Sequence, residues 1–410
     1  MRRRWTSPKR WQRSTGCWSG CSRVPERSET PPRILHLHSG FNLGGKEARA
    51  VRLMNHWGGR AHHTIISADH AAMGARDAIS PIVPCAFPMD SAPSLNGLPG
   101  LRRYLEWARY MRNFDLILTY NWGSMDGVMA HRIFSPFVCL PPLIHHEDGF
   151  NEDEAERLNP KRNLFRQAAL ARASALVVPS RVLEDIAQGA WAQPKRRVVR
   201  ISNGIDVAAY EVPPKADAIP GLAAQRGVVT IGTLAGLRAV KNLPRLVRAA
   251  APLGDKGRLV IVGEGPERDA IVAQARALGF EDRLILPGFM TNPAQFIGLF
   301  DIFALSSDSE QFPISLVEAM AAGLPAVSTD VGDVRNMVTE ENLPFIVPVR
   351  DEHRFASALM RLAGDADLRA TLGAANRKKA RAEYGQAEML SRYAALYTQA
   401  MGRPGVLSGG

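Results

Sequence analysis

At 410 residues the chain exceeds what one hydrophobic core usually fills, so two domains are expected. Hydrophobic residues make up 46 % of it and charged residues 22 %, an ordinary globular balance, and no apolar run approaches the roughly 18 to 20 residues of a membrane span, which excludes a chain threaded through a bilayer by helices. The net charge of +11 is uneven: residues 1–32 carry Arg2, Arg3, Arg4, Lys9, Arg10, Arg13, Arg23 and Arg27 against Glu26 and Glu29, and supply +6 of the total.

That first segment has no apolar block between its charges, so it is not a secretory signal; its Ser, Pro and Arg content predicts a disordered tail. Trp5, Trp11 and Trp18 set among arginines give it a second reading, peripheral contact with an anionic membrane on its inner face. Cys17, Cys21, Cys85 and Cys139 are too few for a disulfide framework, which fits a reducing, cytoplasmic setting, and no second Cys or His pair follows Cys17 and Cys21 at zinc-ligand spacing.

Residues 33–38 alternate polar and aliphatic side chains, 39–45 form a glycine-rich turn and 47–57 have helical spacing. Strand, glycine turn and helix open a Rossmann-type unit. Apolar runs recur at 63–68, 115–120, 140–145, 175–179 and 197–201, separated by helical segments such as 101–112 and 152–173. This alternation predicts a first domain over 33–206 with a parallel sheet covered on both faces. Residues 207–226, broken by Pro213, Pro214, Pro220 and Gly221, predict a linker. The rhythm then restarts over 227–385, with strands at 228–234, 258–262, 283–286, 302–306 and 326–329 and helices at 243–251, 267–278, 294–300 and 314–322. Residues 386–402 predict a last helix whose face of Leu390, Tyr393, Ala394 and Tyr397 needs an apolar partner, expected on the first domain. The fold class is therefore α/β, two Rossmann-like doubly wound domains facing across a cleft, with the ligand at the carboxyl ends of the strands.

The most informative stretch, SSDSEQFPISLVEAMAAG at 306–323, follows an apolar strand. Pro313 disfavours helix at Phe312 and suits a first helical position, so the helix begins at Pro313 with Glu310 in the loop before it. Its free N–H groups and positive dipole end make an anion site fit for a diphosphate. Glu318 lies on an otherwise apolar helix and must find hydrogen-bond partners: neighbouring backbone or an Arg would serve, but with Glu310 eight positions earlier and a proline-started helix, sugar or ribose hydroxyls are the expected ones. Asp365-Ala366-Asp367 and Glu152-Asp153-Glu154 read as acidic helix starts rather than metal sites. Gly263-Glu264-Gly265 lacks the third glycine of a dinucleotide fingerprint and precedes Pro266, which argues against NAD. No metal, no cofactor and no nucleic acid is expected.

Glu310 and Glu318 end a Glu, seven residues, Glu pattern enclosing Phe312, Pro313 and Ser315 that resembles the signature of retaining glycosyltransferases of the GT-B fold, family 4 (glycosyl transferases group 1). The resemblance runs over about residues 33–400, through Gly44-Gly45-Lys46-Glu47, Val178-Pro179-Ser180, Asn203-Gly204-Ile205-Asp206, Lys241-Asn242 and Gly263-Glu264-Gly265-Pro266. It implies transfer of a hexosyl unit from a nucleotide diphosphate sugar to a hydroxyl of a glycan or glycolipid acceptor, with retained configuration, in bacterial cell-surface polysaccharide or glycolipid synthesis. It places Glu310 on the transferred sugar, Glu318 on the ribose hydroxyls, and Phe312, Pro313, Ile314, Ser315 and Leu316 along sugar and phosphates. Gly288 and Phe289 fall near the base, and Gly44, Gly45 and Gly263 where backbone approaches the donor closely. Lys241 neutralises the departing diphosphate. Relatives carry an Arg five residues earlier, where this chain has Gly236, so Arg238 is the nearest substitute. Many relatives also have a His beside the reacting sugar; in LIHHEDGF at 143–150 its counterpart is His146 or Asp148, with His145 turned into the sheet. Two other readings remain, a sugar-nucleotide or glycan-binding subunit without transfer, and an epimerase, which needs an acid or base on each face of the sugar.

Overall fold

The computed structural model describes residues 30–407 apart from 98, 151–153 and 155–156. The expected tail lies outside the described residues except for 30–32, as does most of the first turn of the helix expected over 152–173.

The first sheet takes its strands from β1 (Arg33–His38), β2 (His62–Ser67), β3 (Cys85–Ala86), β4 (Leu116–Tyr120), β5 (Leu143–His146), β6 (Ala175–Val178) and β7 (Val198–Arg200), with α1 (Gly45–Trp57), α2 (Leu101–Met111), α3 (Met125–Phe134), α4 (Pro160–Ala169) and α5 (Arg181–Gln188) between them. Its order is β3-β2-β1-β4-β5-β6-β7, every neighbour parallel. The central strands LILTY of β4 and ALVV of β6 are buried along their whole length, as helices on both faces require. β5 starts three residues later than the apolar run at 140–145, because Pro141 and Pro142 have no N–H to give to a central ladder.

The second sheet runs β10-β9-β8-β11-β12-β13, again all parallel. It is built from β8 (Val229–Leu234), α6 (Leu243–Ala250), β9 (Gly257–Val262), α7 (Arg268–Ala277), β10 (Leu284–Gly288), β11 (Ile302–Leu305), α8 (Ile314–Ala321), β12 (Ala326–Thr329), α9 (Val334–Met337) and β13 (Ile346–Val347), then α10 (Glu352–Gly364) and α11 (Ala366–Glu383). The helix expected over 294–300 is instead two 3₁₀ turns, Pro293–Gln295 and Ile297–Leu299. Pro293, the extended φ of Phe296 and Gly298 break the α pattern there, while Phe296, Ile297 and Phe300 still reach the core.

The last helix, α12 (Gln386–Met401), packs Met389, Leu390, Tyr393, Ala394 and Tyr397 into the apolar layer of Ile34, Trp57, Leu116, Leu118 and Tyr120 under the first sheet. The chain thus crosses between the sheets twice, and the crossings run side by side: Ile205 N donates to Tyr384 O at 2.9 Å and Gln386 N to Ile205 O at 2.8 Å. Two doubly wound α/β domains face each other across a cleft, the class expected from the sequence.

Candidate active site

In each sheet the strand order reverses next to the first strand, between β1 and β4 and between β8 and β11. Such switch points open a crevice at the carboxyl ends of the strands. A cavity of about 530 Å³ lies there, lined on one side by Leu43 and Gly45 and on the other by Leu234–Gly236, Val262–Glu264, Phe289, Met290, Pro293, Ile314, Ser315 and Glu318. Gly263 has φ 149°, and a Cβ on it would run into the Ala235 carbonyl, so only glycine lets β9 end this close to the loop after β8.

Helix α8 enters the cavity with its amino end. Pro313 is the residue just before its first turn, one place earlier than expected, and no side chain caps it. Leu316 N turns back to Pro313 O at 3.1 Å, which leaves the N–H groups of Ile314 and Ser315 available to a ligand. Glu318 is partly buried. Burial pushes its carboxyl up to about 7, against the hydrogen bond from Tyr210 and the charge of Arg52. Arg52, on α1, also donates to Gly204 O at 2.5 Å, so Glu318 stands where α8, α1 and the turn Val207–Glu211 meet. Tyr210 and Arg52 escaped the sequence reading, one inside a segment that looked like a spacer and the other an unremarked helical arginine.

Glu310 is ion-paired to Lys241 and accepts from Ser307 Oγ at 2.9 Å. Both partners are only about one-seventh exposed. Arg238 is exposed, and its Nε lies 3.6 Å from where a Cβ on Gly236 would sit, so its side chain folds back over Gly236, which lines the cavity. Glu310, Lys241 and Arg238 therefore gather at the ends of β8 and β11, beside the cavity.

The acceptor-side candidates are placed differently. His146 is fully buried and points into the core: Nδ1 meets Thr119 O at 3.2 Å and Nε2 meets Tyr397 OH at 2.7 Å. Burial and the nearby Arg49 push its pKa well below 6.5, so it is neutral with both nitrogens engaged. This corrects its candidacy as the cleft base. Asp148 does reach the cleft end of β5 but is forked onto Arg49, with Nη2 to Oδ2 at 2.7 Å, and its N–H meets Asn121 Oδ1 at 2.8 Å. Burial lowers the pKa of Arg49, yet the charge of Asp148 outweighs that and holds it well above the ordinary arginine value. Asp148 is thus committed to an ion pair rather than poised as a free base. His145 turns into the sheet and meets Thr119 Oγ1 at 2.8 Å.

Behind this loop lies a charge network that sequence reasoning missed. Arg166 is fully buried, forks onto Glu154 at 3.0 and 2.9 Å, and has Glu147 Oε2 3.5 Å from its Nε. Among the described residues no group of three or more His, Cys, Asp or Glu could hold a metal ion. Asp365 caps α11, accepting from Leu368 N at 2.9 Å. No helix among the described residues is long and apolar enough to cross a membrane.

Comparison with known proteins matches both halves of the chain to glycosyltransferase families. The family model described as glycosyl transferases group 1 matches residues 219–379, and that described as glycosyltransferase family 4 matches residues 43–209. The N-acetyl-alpha-D-glucosaminyl L-malate synthase of Bacillus anthracis is 28 % identical over 40 % of this chain and 44 % of its own length. An N-acetylgalactosamine-N,N'-diacetylbacillosaminyl-diphospho-undecaprenol 4-alpha-N-acetylgalactosaminyltransferase of Campylobacter jejuni is 28 % identical over 57 % of this chain and 63 % of its own. The chain therefore spans less than two thirds of either relative. Among solved structures, Anabaena Alr3699/HepE in complex with UDP superposes with a TM-score of 0.73 over 90 % of this chain and 100 % of that one, at 20 % identity. With both halves matched in order and both sheets in the expected topology, the chain belongs to the GT-B glycosyltransferases of group 1, family 4.

Proposed function

We propose that the chain transfers a hexosyl unit from a nucleotide diphosphate sugar to a hydroxyl of a glycan or glycolipid acceptor, with retained configuration, in cell-surface polysaccharide or glycolipid synthesis. The observation that carries this reading is the cavity between the domains, with an uncapped helix start for a diphosphate, Glu318 for a ribose and the Lys241–Glu310 pair beside it. Anabaena HepE, of the same fold, has been crystallised with UDP-glucose, and the Campylobacter relative is named for a lipid-diphosphate-linked acceptor. The protein's part is electrostatic: α8, Lys241 and Arg238 stabilise charge on the leaving diphosphate, which itself takes the acceptor proton, so neither a metal nor a free base is required. The engagement of His146 and Asp148 disfavours an epimerase, which needs an acid or base on each face.

The test is calorimetry with UDP. Replacing Glu318 by Ala removes a charged hydrogen-bonding partner and is expected to cost about 1.5 to 3 kcal/mol of UDP affinity. Unchanged affinity removes Glu318 from the site. Because its carboxyl titrates near 7 in the folded chain, above the ordinary 4.5, the folded state binds that proton more tightly than the unfolded one. Its contribution to stability is therefore complete below pH 4.5 and lost as pH rises through about 7. Thermal melts of the ligand-free protein should show this decline in wild type and lose it in Glu318→Gln; identical pH profiles contradict the assignment.

The basic segment at 1–32 is proposed to hold the chain against an anionic membrane on the cytoplasmic side. Co-sedimentation with phosphatidylglycerol vesicles should fall as salt rises and be lost on deleting residues 1–29. Binding insensitive to both changes refutes that role.

A further inference from the structure

The segment after β12 ties the two domains together at one side chain. Asp333 is 4 % exposed, and its carboxylate crosses the cleft to the start of α5 in the first domain: Oδ2 accepts from Arg181 N at 2.8 Å and Oδ1 from Val182 N at 3.2 Å. Ser180 Oγ accepts from Leu183 N at 3.1 Å, so the first turn of α5 is capped by one oxygen from its own domain and a carboxylate from the other. A charge at a helix amino end in a nearly dry interface is well placed.

The same residue grips the sugar-side loop from behind. Asp333 N donates to Gln311 O at 3.1 Å. Gly332, with φ 51°, lies so close to the Glu310 and Gln311 carbonyls that a Cβ there would come within 2.6 Å of both oxygens. Thr329 Oγ1 adds a bond to Ser307 O at 2.6 Å. Gln311 in turn abuts the loop after β5, where a Cβ on Gly149 would be 3.3 Å from its Cγ. The loop bearing Glu310 is therefore backed by a residue whose carboxylate is held by the opposite domain.

We infer that Asp333 is a positioning residue for the transfer reaction: closure of the domains onto α5 and the setting of the Glu310 loop are one event, coupled through its carboxylate and its N–H. This rests on the proposal that Glu310 faces the transferred sugar. Asp333 lines no part of the donor cavity, so losing it should misplace the sugar-side loop without weakening the nucleotide.

Arg181 permits a test that leaves Asp333 in place. It is the first residue of α5, exposed, and preceded by an extended Ser180 with ψ 158°. Proline suits that position and takes away only the N–H donated to Asp333. Arg181→Ala loses the side chain but keeps the N–H, and serves as the baseline. With UDP-glucose as probe donor, Asp333→Ala and Arg181→Pro should each release UDP roughly ten- to a hundredfold more slowly than Arg181→Ala, with UDP affinity within about twofold. Asp333→Asn, which keeps an acceptor oxygen, should recover part of the loss. Small-angle scattering of the ligand-free full chain should give a larger radius of gyration for Asp333→Ala and Arg181→Pro than for Arg181→Ala. Equal radii in all three, or equal turnover of Arg181→Pro and Arg181→Ala, overturn the inference. A wild type that neither binds UDP nor acts on UDP-glucose defeats the donor reading instead, and the scattering result still decides the coupling.

Discussion

Arg166→Leu is expected to destabilise the protein by about 3 to 5 kcal/mol, the cost of stripping the partner from a buried ion pair. Arg166 and Glu154 are each 1 % exposed at the side chain, and Glu147 is fully buried. The guanidinium lies 5.0, 5.5 and 4.9 Å from the ring centroids of Trp122, Phe150 and Trp191, so no water reaches it to replace what it gives. Leucine fills part of that aromatic pocket, which isolates the electrostatic loss from the loss of packing. Glu154 keeps Arg162, at 3.1 Å, whereas among the described residues Glu147 is left with His145, 3.7 Å away. Adding Glu147→Gln to Arg166→Leu should therefore recover part of the stability, since an amide costs less to bury unpaired than a carboxylate. Urea melts of the single and double variants measure both numbers. A single variant within about 1 kcal/mol of wild type, or a double variant no better than the single, shows that the network contributes little.

The same contrast explains what could be read from the sequence. Strands such as ALVV of β6 and the LVIV run that ends β9 are aliphatic on both faces because helices cover both, and the helices between them mark the period change. β3 and β13 have two residues each, too few to carry any period, and they sit at the sheet edges. The donor-side candidates were legible because they come from short contiguous stretches after strands, where chain direction alone puts them at the cleft. The acceptor side was not. Whether His146 or Asp148 is free depends on Tyr397, 251 residues away, and Arg49, 99 residues away, and no local pattern encodes which distant side chain will occupy a polar group. Tyr210 and Asp333 belong to the same class: each earns its importance from a partner in another element, Glu318 for the first and the start of α5 for the second.

Lys241→Ala is expected to lower turnover by on the order of a hundredfold while weakening donor binding much less. Breaking the sugar to phosphate bond loads negative charge onto the nucleotide diphosphate, so a cation beside it is worth more in the transition state than in the bound ground state. Lys241 is paired with Glu310, and Ser307 holds the same carboxylate oxygen. The pair thus stores the ammonium in a fixed place, and removing it does two things: it deletes the positive charge and leaves Glu310 as an unbalanced anion next to a departing anion. These effects separate in a double-mutant cycle. Glu310→Gln alone should reduce turnover through the sugar contact proposed for it, but placed in the Lys241→Ala background it should cost less than it does in wild type, because it also removes the repulsion. Arg238→Ala keeps the carbonyl that accepts from Lys241 N at 2.9 Å and changes only the side chain, so it should add to Lys241→Ala almost independently. Turnover that survives Lys241→Ala, or a loss wholly in donor affinity with kcat preserved, shows that the lysine only holds the substrate. Strict additivity of Lys241→Ala and Glu310→Gln shows that the Lys241–Glu310 ion pair is not part of the working site.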